Sequence, residues 1–214
     1  LPAEKRQRYL DLAFAQSQQI GRLIQDLLTL SSLEARATLA DQTRVPVKTL
    51  VDELIVSAEA LSGGEHTLSI DIPNDLSIHG SAAALRSIFG NLINNAVNYT
   101  PAGGSIRVSW REANDQGVFS VQDTGIGIAA DRQNHIFNGF EHADLQTNRQ
   151  YGGTGLGLSI CHRLVSLQGG TIGVSSTQGQ GSCFWFELPL RSLPITDARA
   201  ATEMARVLAD QPLK

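Results

Sequence analysis

Three glycine clusters, one carboxylate and one asparagine pair are the residues whose types and spacing could do chemistry in this chain. Asp123-Thr124-Gly125-Ile126-Gly127-Ile128 follows an alternating apolar stretch, and Gly152-Gly153-Thr154-Gly155-Leu156-Gly157-Leu158 opens a helical pattern. Gly179-Gln180-Gly181 precedes the last alternating stretch. Glycine lets backbone amides approach a ligand closely and permits positive φ. A glycine-rich turn at a helix N-terminus offers free N–H groups and the positive end of the helix dipole to phosphate. Glycines also serve simply to reverse the chain, and Gly179 and Gly181 taken alone fit either use. The cluster at 152–157 abuts a strongly apolar helix and favours phosphate. Asn91 and Asn95 lie four apart, on one face of a helix. Two amide oxygens there suit a hard cation such as Mg2+. Solvated asparagines are the plainer use, but Leu92, Ile93 and Ala96 mark a packed helix, in which amides need partners.

The class of phosphate binder narrows quickly. The chain has only three lysines, Lys5, Lys48 and Lys214, so an anion site between them must use arginine or backbone amides. The P-loop requires a lysine at the end of its glycine motif, and none occurs from Thr49 to Leu213, which excludes it. A dinucleotide fold requires G-x-G-x-x-G early in a βαβ unit. Here the run is G-x-G-x-G, late in the chain and without parallel βαβ alternation, so that fit is poor.

The elements that must position these groups follow from periodicity. The first 36 residues read as one long helix, with Ile20, Leu23, Leu27 and Leu30 at steps of three and four and Ile24, Leu28 and Leu33 widening the stripe. Arg22, Gln25 and Asp26 occupy the other face. Such a stripe favours a partner helix over folding back on its own domain. Residues 37–45 read as a linker. From 46 to about 61 a helix carries Val47, Leu50, Val51, Leu54 and Ile55, and then Leu68, Ile70 and Ile72 alternate as a half-buried strand. Ser81 can cap a helix bearing Leu85, Ile88, Phe89, Leu92, Ile93 and Ala96, which ends near Thr100-Pro101. Strands follow around Ile106–Val108–Trp110 and Val118–Phe119–Val121, joined by a turn at 114–117. A helix at about 154–167 precedes strands near 171–175 and 182–190. The order predicts an α+β fold in which a mixed sheet packs against helices. Residues 129–153 lose the pattern, with Ile136, Phe137 and Phe140 as the strong apolar residues, which is how lids often read. From Arg191 to residue 214 the chain reads as a polar, alanine-rich tail or linker, with a short helix over 196–209.

Composition agrees with one medium domain plus an appendage in 214 residues. An apolar fraction of 42% and a charged fraction of 18% are those of an ordinary globular protein, and a net charge of −4 gives no reason to expect nucleic-acid binding. Cys161 and Cys183 make no metal-ligand pattern and are expected to be buried free thiols. No apolar run approaches the ~20 residues that cross a bilayer.

Taken together, Asn91–Asn95, Asp123-x-Gly125-x-Gly127, Phe137 with Phe140, Gly153-x-Gly155-x-Gly157 and Gly179–Gly181 resemble the N, G1, F, G2 and G3 boxes of sensor histidine kinases, in the family's order, over residues 46–190. The helix ending Leu27-Leu28-Thr29-Leu30-Ser31-Ser32-Leu33-Glu34 is similar to the second helix of that family's dimerisation and phosphoacceptor hairpin. The resemblance implies a two-layer α/β sandwich shared with gyrase-type and heat-shock chaperone ATPases, and it implies ATP and Mg2+ as ligands. By position, Asp123 should accept a hydrogen bond from the adenine amino group, Asn95 should ligate Mg2+ with Asn91 assisting, and Tyr99 should pack against adenine or ribose. Gly125 and Gly127 belong to the adenine-side loop. Gly153, Gly155 and Gly157, with Thr154 and Leu156 between them, should hold the phosphates through backbone amides, and Arg149 is the side-chain candidate in the lid. Phe137 and Phe140 should anchor the lid to the core. One departure stands out: many relatives carry lysine or arginine where this chain has Asn98.

In this family the phosphoryl acceptor is a histidine on the first hairpin helix, followed by an acidic residue. None of the five histidines, His66, His79, His135, His142 and His162, has that setting, so the acceptor helix is expected outside this chain. The rival gyrase and chaperone hydrolases use a glutamate four residues before the metal asparagine. Residue 91 is an asparagine here, with no basicity to activate water, which favours transfer over hydrolysis. A nucleotide-binding pseudokinase that serves only for dimerisation is the third reading. The resemblance further implies a response-regulator receiver domain as partner, a homodimer, and a cytoplasmic location with any anchor in the bacterial inner membrane supplied by a separate sensor region.

Overall fold

A computed structural model describes residues 3–34, 42–113, 115–138 and 155–190. Helix α1 (Ala3–Glu34) is followed by β1 (Gln42–Pro46), α2 (Val47–Ser62), β2 (Thr67–Asp71), β3 (Ser77–Ser81) and α3 (Ala82–Tyr99). Then come β4 (Ser105–Ala113), β5 (Gln116–Asp123), α4 (Gly157–Leu167), β6 (Thr171–Thr177) and β7 (Gly181–Pro189). The strands β2-β4-β5-β7-β6 form a five-stranded sheet, parallel between β2 and β4 and antiparallel elsewhere. The mixed sheet against helices expected from the periodicity, and the two-layer sandwich that the resemblance implied, are therefore the fold observed.

Alternation decides which face of the sheet meets the helices. Ile106, Val108 and Trp110 of β4, Phe119 and Val121 of β5, and Phe184, Phe186 and Leu188 of β7 are buried against Leu85, Ile88, Phe89, Leu92 and Ile93 of α3. At the centre, the Phe89 ring stacks on Phe119 at 4.3 Å between centroids and on Phe186 at 5.6 Å. Aromatic stacking of this kind adds about 0.5–1.5 kcal/mol per pair beyond area burial. The asparagine-bearing helix is thus bolted to the middle of the sheet.

Two strands escaped the sequence pattern. β1 and β3 pair antiparallel as a separate two-stranded sheet, with Arg44 opposite His79 and Val45 opposite Ile78. β1 begins at Gln42, inside the stretch read as linker, and its only buried residue is Val45. A strand with one apolar residue carries no period, so only tertiary pairing reveals it. Helix α4 begins at Gly157 rather than near 154, because Gly155 has φ +73, a left-handed conformation that an α-helix does not accommodate.

The cysteine expectation needs correction. Both thiols are free, but only Cys161 is buried; Cys183 is half-buried. Along β7 the inward positions are Phe184, Phe186 and Leu188, which puts Cys183 with Trp185 and Glu187 on the outer face. Burial pushes the Cys161 thiol up to about 12, with the nearby Asp26 carboxylate acting in the same direction and a hydrogen bond with Asn91 opposing it.

Helix α1 divides its apolar stripe between two directions. Leu23, Leu30 and the buried Leu33 pack on the domain, and the Arg163 guanidinium of α4 donates to the Leu33 carbonyl at 3.3 and 3.4 Å. Ile20, Ile24, Leu27 and Leu28 remain exposed, as do Tyr9, Leu10 and Phe14. None of the described helices is long and apolar enough to cross a membrane.

Candidate functional site

Asp123 ends β5 facing inward, only 6% exposed. Its Oδ1 accepts from the Gly125 N–H at 2.8 Å and from the Ser182 N–H at 3.2 Å. Among the described residues no hydrogen bond reaches Oδ2. Burial raises the carboxyl above its ordinary value, and the two backbone donors pull it partly back. Oδ1 is thus occupied in fixing the carboxylate plane, and Oδ2 is the acceptor left for a ligand.

The loop after Asp123 is a strap fastened at both sides. Thr124 N–H donates to the Ser105 carbonyl at 3.1 Å, and its hydroxyl accepts from Ser105 N–H at 2.9 Å. Ile126 N–H donates to the Tyr99 carbonyl at 3.1 Å, and Gly179 N–H donates to the Ile126 carbonyl at 2.7 Å. Ile128 N–H reaches Ser176 Oγ at 2.8 Å. The Gln133 amide donates to the carbonyls of Ile128 (3.0 Å) and Ser176 (2.8 Å). The strap therefore joins the end of α3 to the β6–β7 turn, and Asp123 lies beneath it.

This crossing explains two of the glycines. A Cβ on Gly125 would lie 2.3 Å from the Tyr99 carbonyl oxygen, and one on Gly127, where φ is +65, would lie 2.0 Å from the Thr177 carbonyl oxygen. Chain approaches that close admit no side chain. Gly181 likewise brings its backbone against Asp123, whereas Gly179 has open space around it.

The asparagines sit on the facing helix. The side chain of Asn95, half-buried, takes no hydrogen bond among the described residues, and the same holds for that of Asn98 one turn on. Asn91 donates Nδ2–H to the Ser87 carbonyl at 2.9 Å, which leaves Oδ1 directed at the first turn of α4. A Cβ on Gly157 would approach that oxygen to 2.8 Å, so α3 and α4 meet there in contact. Neutral amide oxygens without protein partners are the donor set a hard divalent cation takes, and Asn95 meets that test, with Asn91 Oδ1 one turn earlier on the same helix, against the start of α4. Tyr99 is half-buried, its hydroxyl raised by burial, and its backbone carbonyl serves the strap.

The expected residues thus fall into two assemblies. Asp123, Gly125, Gly127, Tyr99, Gly179 and Gly181 converge at the strap, while Asn91 and Gly157 meet at the start of α4. Leu156 contributes no side chain: it is fully buried in the core, and its carbonyl accepts from Ile160 N–H at 3.0 Å and from the Ser159 hydroxyl at 2.8 Å. Arg149, Gly153, Thr154 and Phe140 lie outside the described residues. Phe137 packs at 6.2 Å from the His162 ring of α4, and its neighbour Ile136 is buried in the core, as an anchor for the segment after the strap requires. Ser105, Ser176, Ser182 and Gln133 were not singled out from the sequence, since serines and glutamines near turns look like solvated residues until their partners are known.

Comparison with known proteins places this geometry in a family. Residues 80–192 match the model of the "Histidine kinase-, DNA gyrase B-, and HSP90-like ATPase" family. The chain is 38% identical over 185 residues to the sensor histidine kinase RppB of Synechocystis sp., covering 84% of this chain and 40% of that protein. It is 40% identical over 182 residues to the phosphate regulon sensor protein PhoR of Pseudomonas aeruginosa, covering 83% of this chain and 41% of that one. It therefore spans about two fifths of the length of these curated relatives. Among solved structures, full-length ShkA in complex with AMPPNP superposes with a TM-score of 0.72 at 30% identity, over 88% of this chain and 39% of that one. The chain belongs to the histidine kinase, DNA gyrase B and HSP90-like ATPase family.

Proposed function

We propose that this chain is the ATP-binding catalytic module of a sensor histidine kinase, which transfers the γ-phosphoryl group of ATP to a histidine on a dimerisation helix outside this chain. Relay to a response-regulator aspartate follows. In this reading residues 46–190 are the catalytic domain, 1–36 the second helix of a dimerisation hairpin, and 191–214 a tail. The exposed residues Ile20, Ile24, Leu27 and Leu28 then face the partner helices of a homodimer.

The observation that carries the proposal is the Asp123 carboxylate, held rigid through Oδ1 with Oδ2 left over. An amino group donates and a carboxylate accepts, so a fixed, half-saturated carboxylate reads the exocyclic amine of adenine. The strap and Tyr99 border the base. Asn95 and Asn91 would hold Mg2+, which supplies charge neutralisation of the phosphates when bound. In this reading Gly155 and Gly157, together with Gly153 and Arg149 from outside the described residues, would hold the phosphates through backbone amides and the guanidinium. Phosphoryl transfer asks the protein mainly for positioning and charge stabilisation. Residue 91 is an amide, bonded to Ser87, where a hydrolase needs a base, and this favours transfer.

Incubating the chain with labelled ATP and a separately prepared acceptor hairpin tests the proposal. Label on the hairpin histidine is the expected result. An unlabelled hairpin, or rapid ATP hydrolysis abolished by Asn91→Ala, would reject it.

A further inference from the structure

Away from the loops described above, His66 ties three elements together. Its Nδ1 lies 2.9 Å from the hydroxyl of Ser62 at the end of α2, and its Nε2 lies 2.8 Å from the carbonyl oxygen of Thr100 just past α3. Its backbone N–H donates to the same Ser62 hydroxyl at 3.1 Å. A carbonyl oxygen can only accept, so Nε2 carries the proton and Nδ1 accepts from Ser62. Ser62 and Thr100 are each only 4% exposed, so both ends of the bridge are shielded from water.

Thr100 is the residue at which α3 stops. Its hydroxyl donates to the Ala96 carbonyl at 2.6 Å, closing the last turn. The carbonyl one residue earlier, Tyr99, is the hook on which the strap hangs through Ile126. Gly125 must pass within van der Waals contact of that same oxygen. The peptide between Tyr99 and Thr100 therefore sets the height of the strap above Asp123. Backbone bonds from Gly103 N–H to the Glu65 carbonyl (2.7 Å) and from Thr67 N–H to the Gly104 carbonyl (3.0 Å) hold the 101–104 turn without any side chain. His66 adds to them the side-chain donor at the carbonyl that ends α3.

We infer that His66 is a positioning residue for nucleotide binding: by donating Nε2–H to the Thr100 carbonyl it fixes the end of α3, and through Tyr99 the strap that walls the base side of the site. The inference rests on the nucleotide reading of that site. Because the effect lies at the base end, it acts on ATP and ADP equally.

Calorimetric titration of ATP and of ADP into the chain, at constant Mg2+, tests it, with thermal melting run in parallel. In His66→Leu the Kd for both nucleotides should rise by the same factor, about three- to ten-fold, which corresponds to one net hydrogen bond. His66→Gln keeps an N–H donor at nearly the reach of Nε2 and should restore binding to within about two-fold of wild type. A merely structural role would show the two variants losing affinity alike. Unchanged affinity in His66→Leu, equal loss in His66→Gln, or a loss confined to ATP would each overturn the inference. Should His66→Leu fail to fold, Ser62→Ala frees the imidazole while keeping its bulk, and weaker binding of both nucleotides is expected there; wild-type affinity would overturn the inference. Asp123→Asn serves as the control. If it leaves the binding heat unchanged, the nucleotide reading itself fails; if it abolishes the heat while His66→Leu binds normally, only the positioning role fails.

Discussion

Replacing Gly127 by alanine should unfold the strap far more than the same replacement at Gly179, although both have left-handed φ, +65 and +81. An L-residue in that conformation costs about 1–2 kcal/mol, and the reduced freedom of the unfolded chain returns about 0.4–1 kcal/mol. At Gly179 a Cβ meets nothing within 4 Å, so the net loss there is about 1 kcal/mol or less. At Gly127 the new Cβ would lie 2.0 Å from the Thr177 oxygen and 2.9 Å from the Gln178 Cα, both backbone atoms. To relieve the clash the strap must move off the β6–β7 turn. That movement strains the 2.7 Å bond from Gly179 N–H to the Ile126 carbonyl and the 2.8 Å bond from Ile128 N–H to Ser176. Losing one such bond costs about 1–3 kcal/mol when its partners stay buried, giving about 3 kcal/mol in all for Gly127→Ala. For a chain of this size each kcal/mol moves Tm by about 2–4 °C. Melting followed by far-ultraviolet circular dichroism should therefore show a drop of about 6–12 °C for Gly127→Ala against about 2–4 °C or less for Gly179→Ala. Equal drops would mean that the close crossing at Thr177 is not rigid, and would refute the reasoning.

Three further outcomes follow from the site and core. Cys161, buried and pushed up to about 12, should resist iodoacetamide in the native protein and react only on unfolding, whereas the half-buried Cys183 should react first; peptide mass mapping reads the order, and early modification of Cys161 would contradict its packing. Asp123 has a folded value raised above its unfolded one, so its favourable contribution is complete below the unfolded value and is lost as pH rises through the folded value. Wild type should accordingly lose stability relative to Asp123→Asn as pH rises across that window; a wild type that gains on Asp123→Asn over the same rise would reverse the sign. With an uncharged Asn98 one turn beyond Asn95, removing Mg2+ with a chelator should weaken ATP binding on the order of ten-fold or more, and equal affinity with and without the ion would contradict the amide-held cation.

The layer architecture was legible because long apolar periods specify it: α3 begins at its Ser81 cap and ends at Tyr99, close to where the pattern placed it. β1 and β3 were not, since their pairing joins residues about 35 apart in the chain through a strand with a single buried residue. Asp123 could be singled out from the Gly-x-Gly that follows it. Which of its oxygens stays available could not, because that depends on Ser182, brought in from a distant strand. Gln133, Ser176 and His66 belong to the same class: each acts through a partner that sequence distance conceals. Cys183 is a different lesson, for the alternation of Phe184, Phe186 and Leu188 already assigns it to the outer face.

Everything proposed for this chain depends on an adenine amine meeting Asp123 Oδ2. Titrating ATP into wild type and into Asp123→Asn under identical Mg2+ measures this directly, because asparagine keeps the size and the Oδ1 acceptor but turns the other position into a donor. Saturable heat from wild type, lost in the variant while its fold persists, is the expected result. Equal heat from both proteins, or none from wild type, would contradict it.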